Sequence, residues 1–304
     1  MIEYIVTHEG SFHADDVVAA AVLALLFDNP EIVRTRDLNL INSLPNSCVI
    51  DVGEVYDKDK LRFDHHQRDF QFSRENSVPY SSAGLIWLHF GRDLIAKSTS
   101  NVEFIEKVWS SIEADFIVHI DAVDNGIELP GPKTVQFSHL IFLMNARIQG
   151  EVSQQEINSR NLVAFKSAVE FTTTILQSLI AEYLAKCENK AVLEKAYQAR
   201  TNKYYLFSPS DAYAAEFLAE KEDVLYYIRA RRDGSWAAQA VPPSPSDMMS
   251  QRKPFPSSWC GLFEPDLKAV TGVGDAVFCH KNGFLAVAKS KEGIVALVEK
   301  AINS

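Results

Sequence analysis

The chain has 304 residues, enough for one large domain or two ordinary ones. Apolar residues make up 47% and charged residues 23%, the balance of a globular protein with a real core, and no apolar run approaches the roughly 18 residues of a membrane span. The net charge of −10, from 30 basic against 40 acidic residues, argues against sequence-blind binding of long nucleic acid, which draws on Lys and Arg against phosphates. The opening segment has neither a basic n-region nor an apolar h-region, so no secretory signal is expected. Its IEYIVTH run reads as a short strand ending at Thr7-His8. A polar turn, Glu9 to His13, leads into DDVVAAAVLALLF, a helix with acids in its first turn, where the helix dipole favours them. Strand, tight loop and helix make the opening unit of a parallel α/β sheet. EIVRTR and SCVIDVG read as the next strands, the second ending in Asp51. Ligands of open α/β sheets collect at the carboxyl ends of strands, where His8 and Asp51 stand.

Helical spacing follows over 82–97 and over 101–123, the latter stopped by Asp124-Asn125-Gly126. Asp121 and Asp124 are three apart and share a face near its end. Residues 154–198 read as one long helical stretch. The composition then turns β-prone, with KYYLF, a hairpin around Asp233-Gly234 and another around Asn282-Gly283, before a closing helix from about 292 to 302. Two domains are expected, 1–195 and 196–304. The four cysteines form no CxxC pair, which excludes a dense disulfide scaffold and a zinc ribbon and fits a reducing compartment.

Four separated segments each offer imidazole or carboxylate near an element end: His8 to Asp16, Asp51, Asp64-His65-His66, and Asp121 with Asp124. Singly, the first reads equally as a surface loop and Asp51 as a turn or helix cap, whereas adjacent histidines beside an acid, Asp64-His65-His66, favour a metal or phosphate role. Together they suit a site for Mn2+, Fe2+, Zn2+ or Mg2+. There is no GxSxG elbow, no P-loop and no Rossmann GxGxxG, so activation of water by metal is the chemistry the sequence favours.

The ordered set His8-x4-His13-x-Asp15, Asp51, Asp64-His65-His66 and Asp121 resembles the metal motifs of the DHH phosphoesterase superfamily. Within it, THEGSFHADDVVAA, DVGEVYDKDKLRFDHHQRDF, IDAVDNGI, DGSWAAQAVP, RKPFPSSWCGL and GDAVFCHKNGF resemble the MYG1 (UPF0160) family, in order and over almost the whole chain. The resemblance implies an α/β fold. A DHH-type N-terminal domain would carry a parallel sheet flanked by helices, and a smaller C-terminal α/β domain would close a cleft. It implies two divalent ions, Mn2+ with Mg2+ as the alternative. His8, His13 and Asp51 would hold one ion; Asp15, Asp51, His65 and Asp121 would hold the other. His66 would face the scissile phosphate, with Asp64 orienting a histidine. Arg231, Arg252, Lys253 and His280 are the phosphate contacts expected from the second domain. Two departures stand out: Glu54 where a Gly is usual, and Leu285-Ala286-Val287 where a glycine pair is usual.

The expected activity is metal-dependent hydrolysis of phosphodiesters, trimming RNA or short oligonucleotides from the 3′ end. A small-molecule phosphoesterase acting on pyrophosphate or cyclic dinucleotides, and a non-catalytic metal-binding scaffold, remain alternatives. No membrane partner is expected and a homodimer is left open. The default location is the cytoplasm, with nucleus or mitochondrion as alternatives for a eukaryotic chain.

Overall fold

The computed structural model describes residues 2–209 and 213–304, and the chain divides into two compact units, Met1–Leu184 and Ala185–Ser304. In the first unit, β1 (Tyr4–Thr7), β2 (Glu31–Arg34), β3 (Ser47–Ile50), β4 (Tyr56–Asp57) and β5 (Arg62–Phe63) form one sheet in the order β2-β1-β3-β5-β4. The pairings β1–β2, β1–β3 and β3–β5 are parallel, with Val6 opposite both Val33 and Val49. Every residue of β3 is buried, as a strand covered on both faces requires. The sheet is mixed rather than purely parallel, because β4 returns antiparallel to β5 through the tight turn Lys58–Lys60. That hairpin was not visible as strands in the sequence, since each is two residues long.

Helix α1 (Ala14–Leu26) is apolar nearly all round and buried from Ala14 to Ala24, which marks a central helix rather than a surface one. It packs against α3 (Ser82–Ala96). The short α2 (Leu38–Ser43) links β2 to β3. The stretch expected as one helix over 101–123 is broken. It runs as α4 (Val102–Ile112), a π-helical turn Glu113–Ile117, and α5 (Val118–Asp124). Such wide turns re-aim the helix that follows them and cluster at functional sites. Helix α6 (Phe137–Leu143) follows, and α7 (Gln154–Gln198) contributes residues to both units. Among the described residues no helix is long and apolar enough to cross a membrane.

One buried carboxylate fixes α5. Asp121 Oδ1 accepts from Ser81 Oγ at 2.5 Å and from the Gly84 amide at 3.0 Å, so it caps the amino end of α3 from a distant helix. The N-cap residue Ser81 makes no cap of its own. A carboxylate at that helix end meets free amides and the positive end of the dipole. Arg74 Nη1 lies 2.7 Å from Asp121 Oδ2, close enough for an ion pair though not aligned as a hydrogen bond. Arg74 also pairs with Glu113 at the start of the π turn. Burial pushes the Asp121 carboxyl up to about 6, against the pull of Arg74 and Ser81. Gly84 permits this approach, because a Cβ there would collide with the Asp121 carboxylate and the Tyr80 ring.

In the second unit, β6 (Tyr205–Phe207), β7 (Tyr226–Ala230), β8 (Trp236–Ala240), β9 (Ala276–Cys279) and β10 (Leu285–Ala288) order as β6-β7-β8-β10-β9. Only the β6–β7 pairing is parallel. Both expected hairpins are present, with Gly234 at φ 82° and Gly283 at φ 69° in their turns. The segment Leu285–Val287 is central strand, paired on both sides, and its Ala286 and Val287 are buried. Helices α8 (Ala214–Ala219), α9 (Asp266–Thr271) and α10 (Lys291–Ile302) complete the unit. Its core gathers Tyr226, Ile228, Phe255, Trp259, Leu297 and Val298.

The Asp121 anchor yields a stability prediction. Removing one partner of a buried ion pair costs about 3 kcal/mol, so Asp121→Asn is expected to lose about that much in urea unfolding. Gly84→Ala, by overpacking the same spot, is expected to lose about 2 kcal/mol. If both variants unfold at the wild-type midpoint, Asp121 is not the anchor described.

Candidate metal centre

The site is built on the carboxyl ends of β1, β3 and β5. Each strand hands one polar segment to the same place: His8 after Thr7, Asp51 after Ile50, and Asp64-His65-His66 after Phe63. Asp51 is held at φ 53°, a left-handed conformation that Asp adopts more readily than most residues and that marks functional turns. The first turn of α1 adds Asp15 and Asp16, both fully buried. His13 is the N-cap, and its amide donates to Asp16 Oδ1 at 3.0 Å. The loop between His8 and α1 is clamped from outside. Asn145 accepts from the Phe12 amide at 2.8 Å and donates to the Phe12 carbonyl at 2.9 Å.

Asp64 organises the rest. Its Oδ1 accepts from the His65 and His66 amides and lies 2.8 Å from His66 Nδ1, while its Oδ2 accepts from the Glu54 amide at 2.6 Å. Asp64 thereby ties the His-His turn to the loop after Asp51 and fixes the His66 ring, whose basicity it raises. Glu54 sits at φ 53°, where glycine would be unstrained.

His8 Nε2 lies 3.2 Å from Asp51 Oδ2 and 3.4 Å from Asp16 Oδ2, and its Nδ1 is 2.9 Å from the Glu9 carbonyl. A carbonyl on Nδ1 leaves Nε2 as the ligand atom, the usual arrangement of a metal-binding imidazole. His65 Nε2 lies 3.2 Å from Asp124 Oδ2, 3.4 Å from Asp51 Oδ1 and 3.7 Å from Asp15 Oδ2. Ligands about 2.1 Å from one ion stand about 3.0–3.4 Å apart, so the separations of 3.2–3.4 Å match a shared cation better than direct hydrogen bonds, while Asp15 stands slightly further off at 3.7 Å. Three groupings bring their ligand atoms within 4.8 Å of one another: His8, His13 and Asp51; Asp51, His65 and His66; His13, Asp15 and Asp124.

The electrostatics point the same way. Both carboxylate oxygens of Asp15, Asp16 Oδ2, Asp51 Oδ1 and His65 Nε2 are buried with no hydrogen-bond partner. Unpaired buried charge is costly unless a cation answers it. Burial, reinforced by Asp51 and Asp124, pushes Asp15 well above the usual carboxylate range. Burial also raises Asp16 and Asp124, against the pull of His8 and His65 respectively. Asp51 goes the other way: burial opposes its charge, but His65 and His8 overcome it. Burial likewise opposes a charge on His8, yet Asp16 and Asp51 push it up to about 10. The donor set, carboxylate oxygens with imidazole nitrogens, fits divalent transition metals.

The structure brings His8, His13, Asp15, Asp51, His65 and His66 together as expected from the sequence, with Asp64 directly behind them. It places Asp121 elsewhere. That carboxylate is taken by Ser81, Gly84 and Arg74, and the acid that reaches His65 is Asp124, one turn further along α5. Asp16 lies in the first segment singled out from the sequence but was given no ligand role there, and Arg36 was missed. Arg36 is exposed and lines a cavity of about 520 Å3 together with His8, Asp51, Glu54 and His66. Acids in a helix first turn are unremarkable by themselves, and Arg36 lies outside every motif.

The four second-unit candidates are engaged within their own unit. Arg252 donates to the carbonyls of Lys221, Val224, Ala219 and Pro243, and Lys253 to that of Ile302 at the end of α10. Both side chains hold backbone of their own unit. Arg231 spans its hairpin turn to Ser235 and Asp233. His280 accepts from the Asn282 amide and packs on Phe284 with ring centroids 4.3 Å apart.

The chain is 29% identical to the MYG1 protein of Dictyostelium discoideum, over 98% of this chain and 96% of that one. It is 29% identical to the MYG1 exonuclease of Mus musculus, over 97% and 84%. It is 31% identical to a MYG1 protein of Chlamydia pneumoniae, over 94% and 92%. Among solved structures, a pGpG-specific phosphodiesterase, PggH from Vibrio cholrae, aligns over 98% of this chain and 97% of its own, at 14% identity and a TM-score of 0.31, too low for a shared fold to follow. Residues 4–302 match the family described as MYG1_exonuc, Uncharacterised protein family (UPF0160), and the chain belongs to that family.

Proposed function

We propose that the chain is a metal-dependent phosphodiesterase of the DHH kind that trims RNA or short oligonucleotides from the 3′ end. The observation that carries this reading is the cluster itself, where orphaned buried carboxylate oxygens converge with imidazoles at the ends of three strands. Membership in a family with relatives named exonuclease supports it. His8, His13 and Asp51 would hold one divalent ion, and Asp15, Asp51, His65 and Asp124 a second, with Asp51 common to both. Ions bound there supply Lewis-acid activation of water and neutralise charge building on the phosphoryl group. Mn2+ suits the mixed oxygen and nitrogen donors. Asp64 holds the His66 ring by Nδ1, which leaves Nε2 for a phosphate oxygen. Arg36, on the same cavity, supplies a cation beside His66, and Arg252 and Lys253 stay candidates from the second unit. Arg231 and His280 remain candidates for contact with further phosphates.

A second reading, a small-molecule phosphoesterase acting on pyrophosphate or cyclic dinucleotides, is favoured by the net charge of −10 and by the commitment of Arg252 and Lys253 to backbone. A 5′-labelled single-stranded RNA supplied with Mn2+ separates the two. A ladder shortening stepwise from the 3′ end, abolished by EDTA and in Asp51→Asn, is expected. Cleavage of pyrophosphate or a dinucleotide alone would remove the nucleic-acid reading.

Metal binding is checked separately. At a hundredfold excess over Kd, Mn2+ is expected to stabilise the protein by about 2.7 kcal/mol, read as a rise in Tm that EDTA reverses. Asp124→Asn is expected to bind one ion fewer by metal analysis, while Asp121→Asn keeps the full complement. The opposite pattern would restore Asp121 as the ligand. For Arg36→Ala, loss of one charge-assisted contact predicts a KM raised about tenfold with kcat little changed.

A further inference from the structure

A second cavity opens on the other side of the cluster, of about 620 Å3, within the size range of small-molecule sites. His13 and Asp124 stand in its wall, so it is continuous with the metal centre. Beyond them the lining turns apolar, with Ile120, Val123, Ile127, Leu129 and Phe142. The rings of His139 and Phe142 lie 6.4 Å apart at 31°. Phe142 is 54% exposed, a large apolar ring kept open beside a highly charged cluster. Polar side chains (Glu128, Lys133, Gln136 and Ser138) also line it, with Lys133 Nζ 3.8 Å from Glu128 Oε1.

We propose that this cavity takes the base of the nucleotide whose phosphate lies at the metal centre. The inference rests on the phosphodiesterase reading and narrows its substrate. Pyrophosphate has nothing to place against an apolar wall. A nucleoside 5′-phosphate, the product of trimming from the 3′ end, carries a phosphate for the cluster, a flat ring for Phe142 and hydrogen-bonding edges for the polar lining. Stacking tolerates every base, because each has a π-face, so the cavity selects for a base without selecting which one.

Calorimetric titration of the full chain with Mn2+ tests this, using adenosine 5′-monophosphate against ribose 5-phosphate. The nucleotide is expected to bind at least about tenfold tighter. Phe142→Ala is expected to remove that preference while leaving ribose 5-phosphate affinity unchanged, and Phe142→Trp to retain it. Equal affinities in the wild type, no binding of either compound at millimolar concentration, or a preference that survives Phe142→Ala would each overturn the proposal. So would parallel weakening of both ligands in that variant. A base preference in a protein that cleaves no phosphodiester would sustain the cavity assignment and sink the catalytic reading.

Discussion

Asp15, Asp16, Asp51 and Asp124 are drawn out of water at one place with no Arg or Lys ion-paired to them among the described contacts. That concentration of like charge opposes folding, since each buried carboxylate raises the cost of its neighbours. The protein's own answer is partial: His8 and His65 offset Asp51 but leave Asp15 without a hydrogen bond. The surrounding architecture exists to enforce the crowding. Three parallel strands end side by side, a central helix points its first turn at them, and Asp64 and Asn145 lock the loops between.

Enforcement extends away from the ligands. Asp121 stands one turn before Asp124, and its contacts with Ser81, Gly84 and Arg74 dock α5 on the start of α3. The π turn just before α5, gripped by Arg74 through Glu113, sets the rotation that points Asp124 at His65. A carboxylate turned toward Ser81, Gly84 and Arg74 thus decides where the carboxylate one turn further on lies. Asp121 is fully buried and Asp124 largely so, and their partners distinguish them.

This explains what was legible in the sequence. His8, Asp51 and His65 follow apolar strand runs directly, so strand pattern and motif agree on their position. The choice between Asp121 and Asp124 was not legible, because residues three apart share a helix face. What separates them is Arg74, in a loop with no periodic signal, and a glycine whose need is visible only when its neighbour is known. The β4–β5 hairpin escaped notice because two-residue strands show no alternation. Arg252 and Lys253 carried the composition of a phosphate grip, yet their targets are carbonyls exposed by irregular backbone, which charge patterning cannot reveal. The cavity beside Asp124 was equally hidden: His13 and the IDAVDNGI run signal metal ligation, while the apolar wall completed by Leu129 and Phe142 carries no motif.

The amide of Gly84 has a further use. It donates to Asp121 inside the protein and can exchange its hydrogen with solvent only when the α3–α5 junction opens. A single backbone position therefore works as an internal gauge of the metal centre's scaffold. Its exchange rate tells whether the scaffold under Asp124 stays closed with and without added divalent metal, without touching the side chains above it.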